Sequence, residues 1–293
     1  MNKRRWYRKK RMWILLIFLI YFIAIQFEWA KFRYDPEKLK QTIVEKTQVE
    51  PLIQHKNFEG KSMQYFQVGE NKNAPVIAFV HGSPGSLADY KNYLSDPELA
   101  EKSIMISIDR LGFGYSDFGT VESNLSIQAK SIASILKPFH QNRIILVGHS
   151  LGGPIIAKTA MDFPELIDAS LLIAPSISPE HEPSNDWRKI VNWKIFQWLT
   201  PPALRVCNQE IIPLKRELEQ SMEGWKNIKT PVTIIQGEDD KLVPKENADF
   251  AKKMLINSSE VDIQIVEKGN HFILWSETEM VKNAILDLLK KVE

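Results

Sequence analysis

The sequence predicts an α/β protein built on a mainly parallel sheet. Three observations carry that reading: short apolar runs that do not alternate, amphipathic stretches of helical period between them, and glycine-rich turns where runs end. A strand covered on both faces reads as a continuous apolar run, and parallel strands need a crossover between them. The first such run is Val76-Ile77-Ala78-Phe79-Val80, and the second spans Ile104 to Ile108. Ala129, Ile132, Ala133 and Leu136 then share one helix face. Ile144 to Val147 reads as the next strand, followed by a helix reaching Met161. Ser170 to Ala174, Val232 to Ile235 and Ile263 to Val266 complete the strands legible from the residues. Ser276-Glu277-Thr278-Glu279 has the form of a capping box. Val281, Ala284, Ile285, Leu288 and Leu289 behind it mark a closing amphipathic helix.

The chain has 293 residues, enough for one large domain with an insertion. Lys3, Arg4, Arg5, Arg8, Lys9, Lys10 and Arg11 hold seven positive charges, so a total of +2 leaves −5 on the rest. A mildly acidic body offers no footprint for nucleic acid. Cys207 is the only cysteine, which excludes an intrachain disulfide and a cysteine-rich metal site. Neither an HExxH pair nor a phosphate loop ending in Lys-Ser/Thr is present.

Met12 to Phe27 is apolar except for Gln26 and is flanked by aromatic residues. As a helix it rises about 24 Å against a hydrocarbon core of about 30 Å, a shortfall that local thinning accommodates. The basic cluster favours a cytoplasmic amino terminus. Residues 1–35 are therefore expected to form a basic tail and an N-terminal transmembrane helix, leaving the body outside the cytoplasm. The rivals are a cleaved signal peptide with secretion, and a peripheral helix. A polar, helical linker over 36–50 leads to the body at 51–293.

Between about Ser176 and Lys229 the alternation breaks. The segment holds Trp187, Trp193, Trp198 and Trp225 with Pro201-Pro202 and Pro213, and its apolar residues surround a helical wheel. It reads as an insertion that covers something.

Gly148-His149-Ser150-Leu151-Gly152 has the form G-x-S-x-G at a strand-to-helix transition. In such an elbow the serine sits in strained backbone with its hydroxyl projecting, and glycines avoid clashes on either side. The Leu151 N–H faces the same space and can hold a developing oxyanion. A serine hydroxyl needs a base, and the base needs an orienting acid. His271 is the only histidine after the last strand; His55, His140 and His181 sit in polar or helical contexts, and His149 turns away from its neighbour. Among Glu238, Asp239 and Asp240, the last stands directly before Lys241-Leu242-Val243-Pro244 and can be fixed by that turn. Val80-His81-Gly82-Ser83-Pro84-Gly85-Ser86 closes the first long strand and offers a second donor, the Ser83 N–H; His81 braces the loop. Asp109-Arg110-Leu111-Gly112-Phe113-Gly114-Tyr115-Ser116 reads as a structural turn at the pocket rim.

Taken together, HGSPGS, DRLGFGYS, GHSLGG, GEDDKLVP and GNHF resemble the landmarks of the α/β-hydrolase superfamily, in order, over Pro51 to Glu293. The resemblance implies a mostly parallel eight-stranded sheet flanked by helices, a helical cap after the sixth strand at about 176–229, and no cofactor. HGSPG is similar to the oxyanion loops of proline iminopeptidases and epoxide hydrolases, and GHSLGG to the elbows of esterases and lipases. Epoxide hydrolases and haloalkane dehalogenases place aspartate where this chain has Ser150, which argues against both. The expected activity is a membrane-tethered carboxylesterase or lipase-like serine hydrolase. Ser150, Asp240 and His271 would be catalytic, with Ser83 and Leu151 at the oxyanion, and the partner a small acyl compound, apolar or lipid-like. Amide or peptide hydrolysis, acyl transfer and a non-catalytic binding role are the alternatives.

Overall fold

A computed structural model describes residues 3–24, 32–183, 186–193, 197 and 200–292. Residues 25–31 of the expected anchor and Trp198 of the insertion lie outside the described residues.

Eight strands form one sheet: β1 (Leu52–Phe58), β2 (Lys61–Val68), β3 (Val76–Val80), β4 (Ile104–Ile108), β5 (Ile144–His149), β6 (Ala169–Ile173), β7 (Val232–Gly237) and β8 (Val261–Val266). Their order is β1-β2-β4-β3-β5-β6-β7-β8, antiparallel from β1 to β4 and parallel beyond. Strands β3 to β7 are buried along their whole length, which is why they read as unbroken apolar runs. Along β3 the side chains divide by parity: Val76, Ala78 and Val80 enter one core, Ile77 and Phe79 the other. The first core lies under α5 (Leu125–Leu136) and α6 (Gly152–Asp162); the second lies under α2 (Pro36–Thr47), α3 (Lys91–Leu94), α4 (Pro97–Lys102) and the C-terminal helix.

The sheet begins with a hairpin that the apolar pattern does not announce. Strands β1 and β2 are joined by Glu59 and Gly60, both at positive φ (51° and 84°), the geometry of the tight turn that matches strand twist. Their exposed positions are polar, so no continuous apolar run appears.

At the amino terminus α1 covers Lys3–Ala24. Among the described residues no helix is long and apolar enough to cross a membrane. The basic cluster occupies the start of α1, and Met12 to Ala24 as helix rises only about 20 Å. The expected transmembrane helix is therefore not found in this element. Met12 to Ile20 are nonetheless exposed, Leu15 at 69% and Ile17 at 63%.

The expected linker forms α2, which does more than connect. Asp35 caps it by accepting from the Glu37 and Lys38 N–H groups, and Leu39 and Ile43 are buried in the second core. Immediately before it, Tyr34 donates to Asp109 at 3.1 Å, and Arg33 donates to the Gly114 carbonyl at 2.7 Å.

The insertion follows β6 and contains α7 (Asp186–Val191), α8 (Pro202–Ile211) and α9 (Leu214–Ser221). Trp225 at its end is a body residue, packed against Phe250 in the first core, whereas Trp193 is exposed. Three more helices complete the described body, α10 (Glu246–Met254), α11 (Ile273–Ser276) and α12 (Thr278–Val292), with 3₁₀ segments at Leu87–Tyr90, Lys137–Phe139 and Met222–Asn227.

Candidate active site

Ser150 stands between β5 and α6 with φ at +53°, in the left-handed region that side chains seldom adopt. The surrounding chain holds it there: its N–H donates to the Ile173 carbonyl at 2.9 Å, and its carbonyl accepts from Gly153 N–H at 2.9 Å. Close approach of the backbone explains the elbow glycines. A Cβ on Gly152 would lie 2.1 Å from the Val80 oxygen, and one on Gly148 would lie 2.6 Å from the Gly152 oxygen.

Three predicted residues meet at the carboxyl ends of the strands. His271 Nε2 lies 3.0 Å from Ser150 Oγ, and His271 Nδ1 lies 2.7 Å from Asp240 Oδ2. Asp240 is fixed from its other side, where Oδ1 accepts from the N–H groups of Leu242 and Val243, both at 2.8 Å. Burial pushes its carboxyl upward, but the hydrogen bond from His271 and those two amides outweigh burial and hold it below the ordinary value. Asp240 therefore stays ionised and keeps the proton of His271 on Nδ1, leaving Nε2 free to accept from the serine. Glu238 and Asp239 are exposed, which separates the three acids of that loop.

Ser83 and Leu151, the residues expected to supply oxyanion donors, line one cavity with Ser150 and His271. A Cβ on Gly82 would stand 3.1 Å from Ser150 Cβ, so the loop after β3 lies against the serine. Among the described residues, the N–H groups of Ser83 and Leu151 have no acceptor within the protein. A cavity of about 210 Å3 opens here, lined by Ser83, Ser150, Leu151, Leu214, Leu242 and His271, with Arg188 and Lys241 also on its wall.

Two further histidines are buried here and act as props. His149 does not approach Ser150 Oγ; its Nε2–H donates to the His271 carbonyl at 3.0 Å. Burial first, then the charge of His271, lowers the His149 pKa to about 3, so it stays neutral. His81 is neutral for the same first reason. Gln236 donates to Asp240 Oδ2 at 3.4 Å and to the Val243 carbonyl at 3.1 Å, bracing the acid's turn. The bracing roles of Gln236 and His149 are not legible in the sequence, because nothing local marks a strand-end glutamine or an elbow histidine as a brace. His55 and His140 are exposed, and His181 bonds to Ser178 at 2.8 Å. No group of three or more potential metal-ligating side chains occurs among the described residues.

Residues 75–203 match the sequence model of a family described as having the alpha/beta hydrolase fold. A provisionally named esterase/lipase of Haemophilus influenzae is 28% identical over 40% of this chain, and the match spans only 39% of that protein. The uncharacterized hydrolase YugF of Bacillus subtilis is 23% identical over 77% of this chain and 94% of its own. Among solved structures, a bacterial membrane phospholipase A superposes with a TM-score of 0.61 at 16% identity, covering 99% of each chain. At that identity the likeness concerns the fold.

Proposed function

This chain is an α/β-hydrolase in fold, and from that premise we propose that it hydrolyses an ester or related acyl bond through a covalent intermediate on Ser150. The observation that carries the reading is the hydrogen-bonded chain from Ser150 Oγ through His271 to Asp240. In the proposed reaction Ser150 Oγ attacks the acyl carbon while His271 Nε2 takes its proton. Asp240 holds the imidazole in orientation and stabilises the imidazolium that forms. The carbonyl oxygen, now anionic, rests between the N–H groups of Ser83 and Leu151. Collapse breaks the acyl–oxygen bond, and the leaving alcohol receives the proton from His271. Water then attacks the acyl-enzyme and gives its proton to the same nitrogen; collapse breaks the acyl–Oγ bond, His271 returns the proton to Ser150 Oγ, and the acid leaves. One oxyanion donor contributes about 3–4 kcal/mol to such a transition state.

The reading includes a small acyl group seated in the cavity and a leaving group that extends outward. It also includes a membrane-surface setting. A basic cluster followed by exposed apolar residues from Met12 to Ile20 favours burial of α1 in a lipid interface, where amphiphilic esters concentrate.

The test is a fluorophosphonate probe on purified protein, run beside p-nitrophenyl esters of graded chain length and amino-acid amides. Labelling of wild type, its loss in Ser150→Ala, and turnover of the esters are expected. Turnover of the amides alone would move the activity to peptide hydrolysis. A folded wild type that neither labels nor turns over any substrate would leave a binding module.

A further inference from the structure

The Gly82 carbonyl and the Ser83 N–H belong to one peptide group. In a trans peptide the two point in opposite directions, so whatever grips the Gly82 oxygen aims the Ser83 N–H. Two donors grip it: Arg110 Nη2 at 2.8 Å and His81 Nδ1 at 2.7 Å. The Arg110 N–H donates to His81 Nε2 at 3.1 Å, which leaves Nδ1 as the protonated nitrogen.

Arg110 is 1% exposed and uses all five of its side-chain donors. Nε donates to the His81 carbonyl at 2.9 Å; Nη1 donates to Gln128 Oε1 and Glu210 Oε2, both at 2.9 Å. Nη2 divides between the Gly82 carbonyl and Glu210 Oε1, the latter at 3.1 Å. Glu210 comes from α8 in the cap, is itself 2% exposed, and also accepts from the Ser83 hydroxyl. One cap carboxylate thus holds both the side chain of Ser83 and the guanidinium that orients its amide.

Stability alone is a weak reason for this arrangement. A buried ion pair pays so much desolvation that apolar replacement of both partners is often neutral or stabilising. An apolar pair, however, cannot grip a carbonyl oxygen. We propose that Arg110 and Glu210 are positioning residues: together they aim the Ser83 N–H at the substrate oxygen, so that the cap supports half of the oxyanion hole. The proposal rests on the hydrolase reading above.

The experiment compares wild type with the double variant Arg110→Met/Glu210→Met, with Glu210→Gln and with Ser83→Ala, all as full chains. Three readouts are taken: kcat and KM on the best p-nitrophenyl ester, inhibition by a trifluoromethyl ketone, and hydrogen exchange of residues 81–87. The ketone forms a tetrahedral adduct on the serine and needs the hole. The double variant should fold, lose about 10- to 100-fold in kcat with KM changed less than about threefold, and lose a similar factor in ketone affinity. Exchange over 81–87 should rise. Glu210→Gln should fall in between, and Ser83→Ala, which retains the amide, should lose least; these two decide the matter if the double variant does not fold. Wild-type kcat and unchanged loop exchange in folded variants would overturn the proposal. If wild type shows no hydrolysis while loop exchange still rises in the variants, the clamp stands and the hydrolase reading falls.

Discussion

Ser150 carries a cost that its neighbours impose. Its φ of +53° strains a residue with a Cβ, and the strain is sustained by the bonds from Ile173 and Gly153. Ser150→Gly and Ser150→Ala both remove the hydroxyl, but only glycine relaxes the backbone. The glycine variant should therefore be more stable than the alanine variant by about 1 kcal/mol in urea denaturation, with both inactive. Equal stability would mean that the elbow is unstrained. His149 offers a test through pH. Its folded pKa of about 3 lies below the ordinary 6.5, so between those values the unfolded chain binds a proton that the folded chain refuses. The stabilisation is complete above pH 6.5 and is lost as pH falls through that window. His149→Phe should flatten the slope of unfolding free energy between pH 6 and 4 by up to about 1.4 kcal/mol per pH unit relative to wild type. Asp89 and Asp109, pushed by burial to about 7 and about 6, slope the opposite way in both proteins and cancel in the difference.

Legibility differs from element to element for physical reasons. Strands β3 to β7 could be read because burial on both faces demands apolar side chains, and the half-buried edge strand β8 by its short Ile263 to Val266 run, while the β1–β2 hairpin could not. Its signal is a turn at Glu59-Gly60 between strands that keep polar faces toward water. Ser150, His271 and Asp240 stood out because each follows a strand at a turn, and strand ends are where a parallel sheet gathers side chains. Arg110 and Glu210 were not legible as a pair: they lie 100 residues apart, and one sits in an insertion whose docking no local pattern states. The junction of β3, β5 and α6 tests the packing that creates the elbow. With a Cβ 2.1 Å from the Val80 oxygen, Gly152→Ala forces β3 and α6 apart. It should cost about 1–3 kcal/mol by thermal denaturation and lower esterase kcat, since β3 leads into the Ser83 loop. An alanine variant with wild-type stability and rate would show that the contact relaxes freely.

Across the whole molecule, the packed body begins earlier in the chain than polarity alone indicates. The polar stretch at 36–50 resembled a tether because only Leu39 and Ile43 among its apolar residues are buried in the core, yet those two join a cluster shared with β3 and the C-terminal helix, against which Val49 packs from the edge. Tyr34 and Arg33 extend the attachment to the loop that carries Arg110, so the residues leading into α2 are fastened to that loop. Two truncations separate these roles. A chain beginning at residue 32 retains every contact just named; it should fold with wild-type stability, hydrolyse soluble esters at the wild-type rate, and lose sedimentation with anionic vesicles. A chain beginning at residue 51 strips α2 from the second core. Removal of Ile43 alone, as Ile43→Ala, is worth about 2–5 kcal/mol, and loss of the whole helix should exceed it and leave little folded protein. If the shorter chain were as stable and active as the longer one, α2 would be a tether after all. If the longer one still bound vesicles, the lipid contact would have to lie on the body and not on α1.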